Sequence, residues 1–373
     1  MTAHPFLGDI SPATFLADYW QQKPLLIRQA IPGFQSFIPP EEIAGLSLEE
    51  EVESRLVVQT APQQWQLDHG PFDEQRFSQL PADGWSLLIQ GADRWLEEVN
   101  ALMREIDFIP SWRIDDVMIS YATDQGSVGP HYDNYDVFLL QAEGERRWQL
   151  GQWCDHTTRL LNHSQVKLLE QLEVSAEYLL EPGDMLYVPT RLAHCGTSIG
   201  SSISYSFGFR APATADLLSG FCDTLCATLH PEDRYVDTPL SWPTPSGEID
   251  RQALQQVRQL LLRTLNNPAL LEDFFGRFVT EPKFEEVPEA REVETITPDA
   301  GVQLCPGHRF AFLRSKSSRL SLFADGAKLS VDGALMTLCQ QLARGKPITG
   351  PFSAPQCDLL TKLLALGTIE LID

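Results

Sequence analysis

Between residues 111 and 210, apolar and polar positions alternate in short runs broken by turn residues: "IDDVMISYAT", "YDVFLLQAEGERRWQLG", "YLLEPGDMLYVP" and "SSISYSFGFR". Side chains two apart on a strand face the same way, so each run reads as β-structure with two distinct faces. Many short strands with no helix of crossover length between them predict a sandwich or barrel and disfavour a doubly wound parallel sheet. "DDVMISY" sets Asp116, Met118 and Ser120 against Val117, Ile119 and Tyr121. "SSISYSFGFR" sets Ser202, Ser204, Ser206 and Gly208 against Ile203, Tyr205, Phe207 and Phe209. The small polar faces line either a pocket or the solvent. A hairpin is read in "LLQAEGERRWQL", with Arg146, Trp148 and Leu150 on one face and Arg147 pointing outward.

The flanks have a different texture. Ser11 before Pro12 opens a helix with Phe15, Leu16 and Tyr19 on one face. "KPLLIRQAI" is a short strand, Glu41, Glu42, Glu49, Glu50, Glu51 and Glu53 form an acidic patch on short helices, and "ADRWLEEVNALMRE" gathers Trp95, Leu96, Val99, Leu102 and Met103 at helical spacing. After Arg210 the pattern turns helical in "LLSGFCDTLCATL", "IDRQALQQVRQLLLRTL" and "PALLEDFFGRFV", with a Pro-rich break from Pro231 to Ser246. The stripe Leu254, Val257, Leu261 and Leu265 is more apolar than a lone surface helix needs, so it covers the β region or builds a dimer interface. Residues 280 to 301 are acidic and Pro-punctuated, a linker pattern. The tail alternates a hairpin, "RLSLFADGAKLSV" with Asp325-Gly326 at its turn, with helices in "ALMTLCQQLARG" and "CDLLTKLLAL", which fits a small winged-helix-like domain.

Composition narrows the function. With 28 Lys plus Arg against 51 Asp plus Glu, the net charge of -23 repels nucleic acid and anionic membranes and attracts a basic partner. In the tail, Arg309, Arg314, Lys316, Arg319, Lys328, Arg344, Lys346 and Lys362 are dispersed, so no direct nucleic-acid binding is expected of it. Seven scattered cysteines without a Cys-x-x-Cys pair suggest neither a disulfide framework nor a zinc site. The start, "MTAHPFLGDI", has no leader pattern and no apolar run reaches spanning length, so a cytoplasmic, non-membrane protein is expected.

Candidate chemistry lies in "GPHYDNYDVF". On a strand His131 and Asp133 share a face, with Tyr135 in the same row and Tyr132 pointing away. A second histidine, His194, follows a strand and a proline turn in "VPTRLAHCGTS". Two histidines and a carboxylate make the facial triad of non-haem Fe(II) oxygenases, which leaves three octahedral positions open. Arg146 shares its face with apolar residues, and an inward cation requires an anion. Either an internal salt bridge or the carboxylate of an acidic cosubstrate supplies it.

His131-x-Asp133, Arg146 fifteen residues after the first ligand, "LEPGDMLYVP" ahead of His194, and "YSFGFRAP" together resemble the JmjC-type 2-oxoglutarate oxygenases, and within them the bacterial ribosomal oxygenases. "SRLVVQ", "HGPF" and "WRIDDVMIS" extend the resemblance over nearly the whole chain. It implies a mixed α and β fold with a double-stranded β-helix (jelly-roll, cupin-like) core and N-terminal helices over 1–210. It further implies a helical dimerisation region over 211–280, an acidic linker over 281–300 and a winged-helix-like domain over 301–373. It implies Fe(II) on His131, Asp133 and His194, with 2-oxoglutarate as cosubstrate on Arg146 and O2 as the third reactant. Ser204, where relatives carry asparagine, is a second cosubstrate candidate, and Asp116 and Tyr135 are candidates for holding a substrate arginine. The implied reaction is hydroxylation at C3 of an arginine in the large-subunit ribosomal protein L sixteen, by a homodimer. A cupin-like binding or regulatory protein without turnover, and an oxygenase of a small molecule, are the alternatives.

Overall fold

The computed structural model describes residues 4–161, 167–237, 239, 247–284, 295–314 and 319–372. Half of the expected Pro-rich break (238 and 240–246), the centre of the expected linker (285–294) and Lys316 lie outside the described residues. The chain divides into two compact units. The first is Met1–Ala211 with Val302–Gly307 and Arg344–Ile348, and the second is Pro212–Gly301, His308–Ala343 and Thr349–Asp373.

The first unit is built on a nine-stranded antiparallel sheet, in keeping with the many short strands read from the alternation and with the jelly-roll-like core that the resemblance implies. Its strands are β1 (Leu25–Ile27), β2 (Ser54–Ala61), β3 (Gln64–His69), β4 (Trp85–Ile89), β5 (Ile114–Ala122), β6 (Val137–Trp153), β7 (Ala176–Leu180), β8 (Met185–Val188) and β9 (Leu192–Phe209). They run in the order β1-β8-β6-β9-β5-β4-β2-β3, with β7 also on β6. The long strands β6 and β9 pair along their whole length. The first half of β6 meets β8 and the end of β9, and its second half meets β7 and the start of β9.

The expected hairpin in β6 is instead one 17-residue strand. Gly144 makes a bulge there rather than a turn: its φ is +64°, and a Cβ would run into the Ser201 carbonyl oxygen. The register shifts on both sides of Glu143. Val137 and Leu139 therefore share a core cluster with Trp148 and Leu150, although the two pairs differ in parity. That flip keeps Arg146 on the buried side while Arg147 reaches Glu177 at the surface.

The opposite face carries the main core. Val117, Ile119, Ile203, Tyr205, Phe207 and Phe209 pack against Phe6, Phe15 and Ile43 from the N-terminal segments. Helix α1 (Pro12–Asp18) begins as expected, the Ser11 hydroxyl accepting from the Thr14 N–H at 3.1 Å, but only Phe15 of the three apolar residues is fully buried. After α2 (Pro40–Leu46) and α3 (Glu74–Ser78), the expected long helix around Trp95 is shorter than its spacing suggested. A 3-10 turn over Ala92–Arg94 precedes α4 (Glu97–Met103), leaving Trp95 outside and half-exposed.

In the second unit α5 (Thr214–Cys226) packs on α7 (Pro268–Thr280) through Phe221, Leu225 and Phe274, while α6 (Arg251–Leu265) buries none of its residues. Strands Phe310–Arg314, Arg319–Ala324 and Ala327–Asp332 form an antiparallel sheet, and the Asp325-Gly326 turn has positive φ at both positions, as a type I′ hairpin requires. Helices Met336–Ala343 and Ala354–Ala365 follow, the second opened by a reciprocal Ser353–Gln356 cap.

Candidate active site

His194 lies near the start of β9 and His131 just before β6. The two are tied by a reciprocal backbone pair, His131 N–H to His194 C=O at 3.0 Å and His194 N–H to His131 C=O at 2.8 Å. The strand row expected of His131, Asp133 and Tyr135 does not exist. Residues 132–136 are irregular, with a bend at Asn134 and Tyr135, and link the His131–His194 bridge to the start of β6 at Val137. Convergence comes from the loop, held where Arg191 N–H donates to Asp133 C=O at 2.7 Å and Leu169 N–H to Pro130 C=O at 2.8 Å. Gly129 begins that loop at φ +84°, with Leu168 and Trp65 where a Cβ would need room.

Each imidazole is fixed by a carbonyl. His131 Nδ1 lies 2.9 Å from Gly129 O, and His194 Nδ1 lies 2.9 Å from Leu192 O. A carbonyl only accepts, so each Nδ1 carries a proton and each Nε2 is the atom left to face a metal. Both Nε2 atoms turn to Asp133 Oδ2, at 3.9 Å for His131 and 3.5 Å for His194. The ligand atoms of the three residues lie within 4.8 Å of one another, and among the described residues this is the one such group of His, Cys, Asp or Glu that could hold a metal ion. Burial, with the neighbouring His131, pushes the His194 pKa down to about 4, so the ring is neutral and able to ligate. Two imidazole Nε2 atoms beside one carboxylate oxygen are a donor set that fits a divalent transition metal.

Arg146 is 6% exposed on the same side of the fold. Its Nη1 donates to Ser204 Oγ at 2.7 Å and Ser120 Oγ at 3.2 Å, and its Nη2 to Ser202 Oγ at 3.2 Å; its Nε is buried without a partner. These partners are neutral hydroxyls. Among the described residues no carboxylate forms an ion pair with the guanidinium, so no internal salt bridge takes up its charge there. Burial alone pulls the Arg146 pKa down to about 10. A buried cation with hydroxyl partners and no counter-ion fits a ligand carboxylate.

The polar face of β5 points the same way, as its alternation suggested. Asp116 is buried and accepts from Gln90 Nε2 at 2.7 Å. Tyr135 is 43% exposed overall, yet burial around its hydroxyl and the nearby Asp133 carboxylate raise its pKa well above 10. Tyr132 turns away, packing with Leu169 and Ala193. Sequence reasoning gave no role to Arg55 or Gln90. Arg55 Nη2 donates to Gln90 Oε1 at 2.6 Å and approaches the Met118 sulfur at 3.6 Å. The available signal was the parity of "SRLVV", which puts Arg55 and Val57 opposite the core residues Leu56 and Val58.

The fold and this site define a class: a JmjC domain profile matches residues 101–217. The chain is 33% identical to a probable ribosomal oxygenase of Haemophilus influenzae over 334 residues, covering 85% of this chain and 81% of the relative. It is 36% identical to the ribosomal protein uL16 3-hydroxylase of Escherichia coli over 277 residues, 73% and 72% of the two chains. The E. coli ribosomal oxygenase YcfD, solved with cobalt and 2-oxoglutarate, superposes with a TM-score of 0.82 at 30% identity, covering 98% of this chain and 99% of that one. The chain belongs to the JmjC-domain ribosomal oxygenases.

Proposed function

We propose that the protein is an Fe(II)- and 2-oxoglutarate-dependent oxygenase that hydroxylates C3 of an arginine in the large-subunit ribosomal protein uL16. The observation that carries this reading is Arg146, a buried cation without a counter-ion among the described residues, on the pocket side of the sheet that also bears His194. The related YcfD binds 2-oxoglutarate beside cobalt, a stand-in for iron. His131, Asp133 and His194 hold the iron, and Arg146 pairs with the far carboxylate of 2-oxoglutarate, steadied by Ser204, Ser120 and Ser202. Iron bound there supplies, with 2-oxoglutarate and O2, the oxidising power for inserting oxygen into a C–H bond. Asp116 accepts from the substrate guanidinium and Tyr135 stacks on it, which sets the carbon presented to the metal. The net charge of -23 draws in a basic ribosomal protein.

The remaining organisation is part of the same proposal. Residues 1–210 are the catalytic domain, 211–280 a dimerisation region, 281–300 a linker and 301–373 a winged-helix-like domain that docks protein rather than nucleic acid. The enzyme works as a homodimer in the cytoplasm, where its ribosomal substrate is made. No described helix is long and apolar enough to cross a membrane.

The test is incubation with Fe(II), 2-oxoglutarate, O2 and uL16, followed by mass spectrometry. The expected result is the gain of one oxygen atom on an arginine, lost in His131→Ala. Consumption of 2-oxoglutarate with no oxygen on any ribosomal protein points to a small-molecule substrate. No consumption at all points to a binding protein.

A further inference from the structure

Arg55 on β2, Gln90 just past the end of β4 and Asp116 on β5 meet on one face of the sheet. The Gln90 amide is used at both ends: Oε1 accepts from Arg55 Nη2 at 2.6 Å, and Nε2 donates to Asp116 Oδ2 at 2.7 Å. Flipping the amide would put an NH2 against a guanidinium and an oxygen against a carboxylate, so the two charges fix its orientation. Arg55 also reaches the sulfur of Met118, which lies on the same strand face as Asp116. The protein thus keeps an arginine of its own one amide away from the carboxylate assigned to the substrate arginine. A long, flexible guanidinium so close would close directly onto Asp116 if nothing intervened.

We propose that Gln90 is a positioning residue that acts as a spacer, orienting Asp116 while holding Arg55 off it so that the seat stays open for the substrate guanidinium. The inference rests on the arginine-hydroxylase reading above. It predicts that removing Gln90 does more than delete a hydrogen bond, because it releases a competitor inside the pocket.

The experiment is steady-state kinetics of the full-length, iron-loaded protein with a uL16 peptide containing the target arginine. Gln90→Met, which keeps length but cannot hydrogen-bond, raises the peptide KM about tenfold or more, the size of a lost hydrogen bond to a charged group. The KM for 2-oxoglutarate, reporting the distant Arg146 end, stays within about twofold. Adding Arg55→Met to Gln90→Met then lowers the peptide KM again by several-fold, since the competitor is gone. A merely structural Gln90 would make the double variant as poor as, or poorer than, the single one. That result, or an unchanged KM in Gln90→Met, overturns the proposal. Gln90→Asn, too short to reach both partners, gives the same rise and the same rescue if Gln90→Met does not fold. Failure of the wild-type protein to hydroxylate any arginine peptide overturns the underlying function, and the spacer with it; wild-type turnover without the rescue overturns the spacer alone.

Discussion

Arg146 Nη1 and Ser204 Oγ stand 2.7 Å apart, and the guanidinium that makes this contact has two further hydroxyl partners but no carboxylate ion pair among the described residues. A buried charge solvated only by neutral hydroxyls costs stability until an anion arrives. Replacement of Arg146 by Met therefore has opposite effects on stability and on ligand binding. Without cosubstrate, Arg146→Met melts at or above the wild-type temperature, because an uncompensated buried charge is gone. Its KM for 2-oxoglutarate rises about 100-fold, the loss expected for a charge-assisted pair. Differential scanning fluorimetry with and without 2-oxoglutarate reads both, and a variant less stable than wild type in both conditions would show Arg146 to be a structural residue.

The depressed pKa of His194 gives the metal-free protein a defined pH dependence. The unfolded chain takes up this proton near its ordinary value of 6.5, while the folded site resists until about 4. Between those values the unfolded state binds more protons, so the contribution of His194 to stability is intact above about pH 6.5 and is lost as pH falls toward 4. From about pH 7.5 to pH 5 the loss is ~2 kcal/mol. Urea unfolding of the metal-free protein at the two pH values measures it, and His194→Leu flattens the dependence by that amount. An equal slope in the variant would assign the pH effect to other groups.

At Gly144 the positive φ and the nearby Ser201 carbonyl leave no room for a side chain, and the bulge formed there sets which residues after it face inward. Gly144→Ala costs about 1–3 kcal/mol through backbone strain and crowding. It also displaces Arg146 two residues on, so affinity for 2-oxoglutarate falls more than it does in an equally destabilised variant elsewhere. Val279→Ala in the second unit, buried at 3%, serves as that comparison. Denaturant midpoints matched against the KM for 2-oxoglutarate separate the local effect from general loss of fold.

The same bulge marks how far the sequence could be read. Strand alternation assigned both faces of β5 and β9 because one face of each is fully apolar, and the structure seats Ile119 and Phe207 in the core with Ser120 and Ser204 turned to Arg146. Parity cannot be carried through a bulge or a bend. It gave a hairpin where β6 runs on, and a strand where the loop at Asn134–Tyr135 brings Asp133 to the histidines. Arg146 nevertheless lies inward as expected, since its placement was read within "RRWQL", beyond the bulge. The Arg55–Gln90–Asp116 chain joins residues 35 and 26 positions apart across three strands, and no local pattern encodes strand order.

Helix α6 carries the last prediction. Leu254, Val257 and Leu261 follow one stripe, Leu254 is 59% and Leu261 56% exposed, and none of the helix is buried within the described residues. A water-facing leucine stripe of this length carries a free-energy cost that a second copy of the helix would relieve, at about 25 cal/mol per Å² of apolar surface removed. Analytical ultracentrifugation of the wild-type protein gives about twice the chain mass of 41.8 kDa, and Leu254→Lys with Leu261→Lys gives the single-chain mass. The substituted positions belong to the second compact unit, whereas His131, Asp133, His194 and Arg146 belong to the first, so the monomeric variant is expected to bind cobalt at the His131, Asp133 and His194 group as the wild type does. A wild-type monomer would leave the stripe to some other partner and remove the homodimer from the proposal.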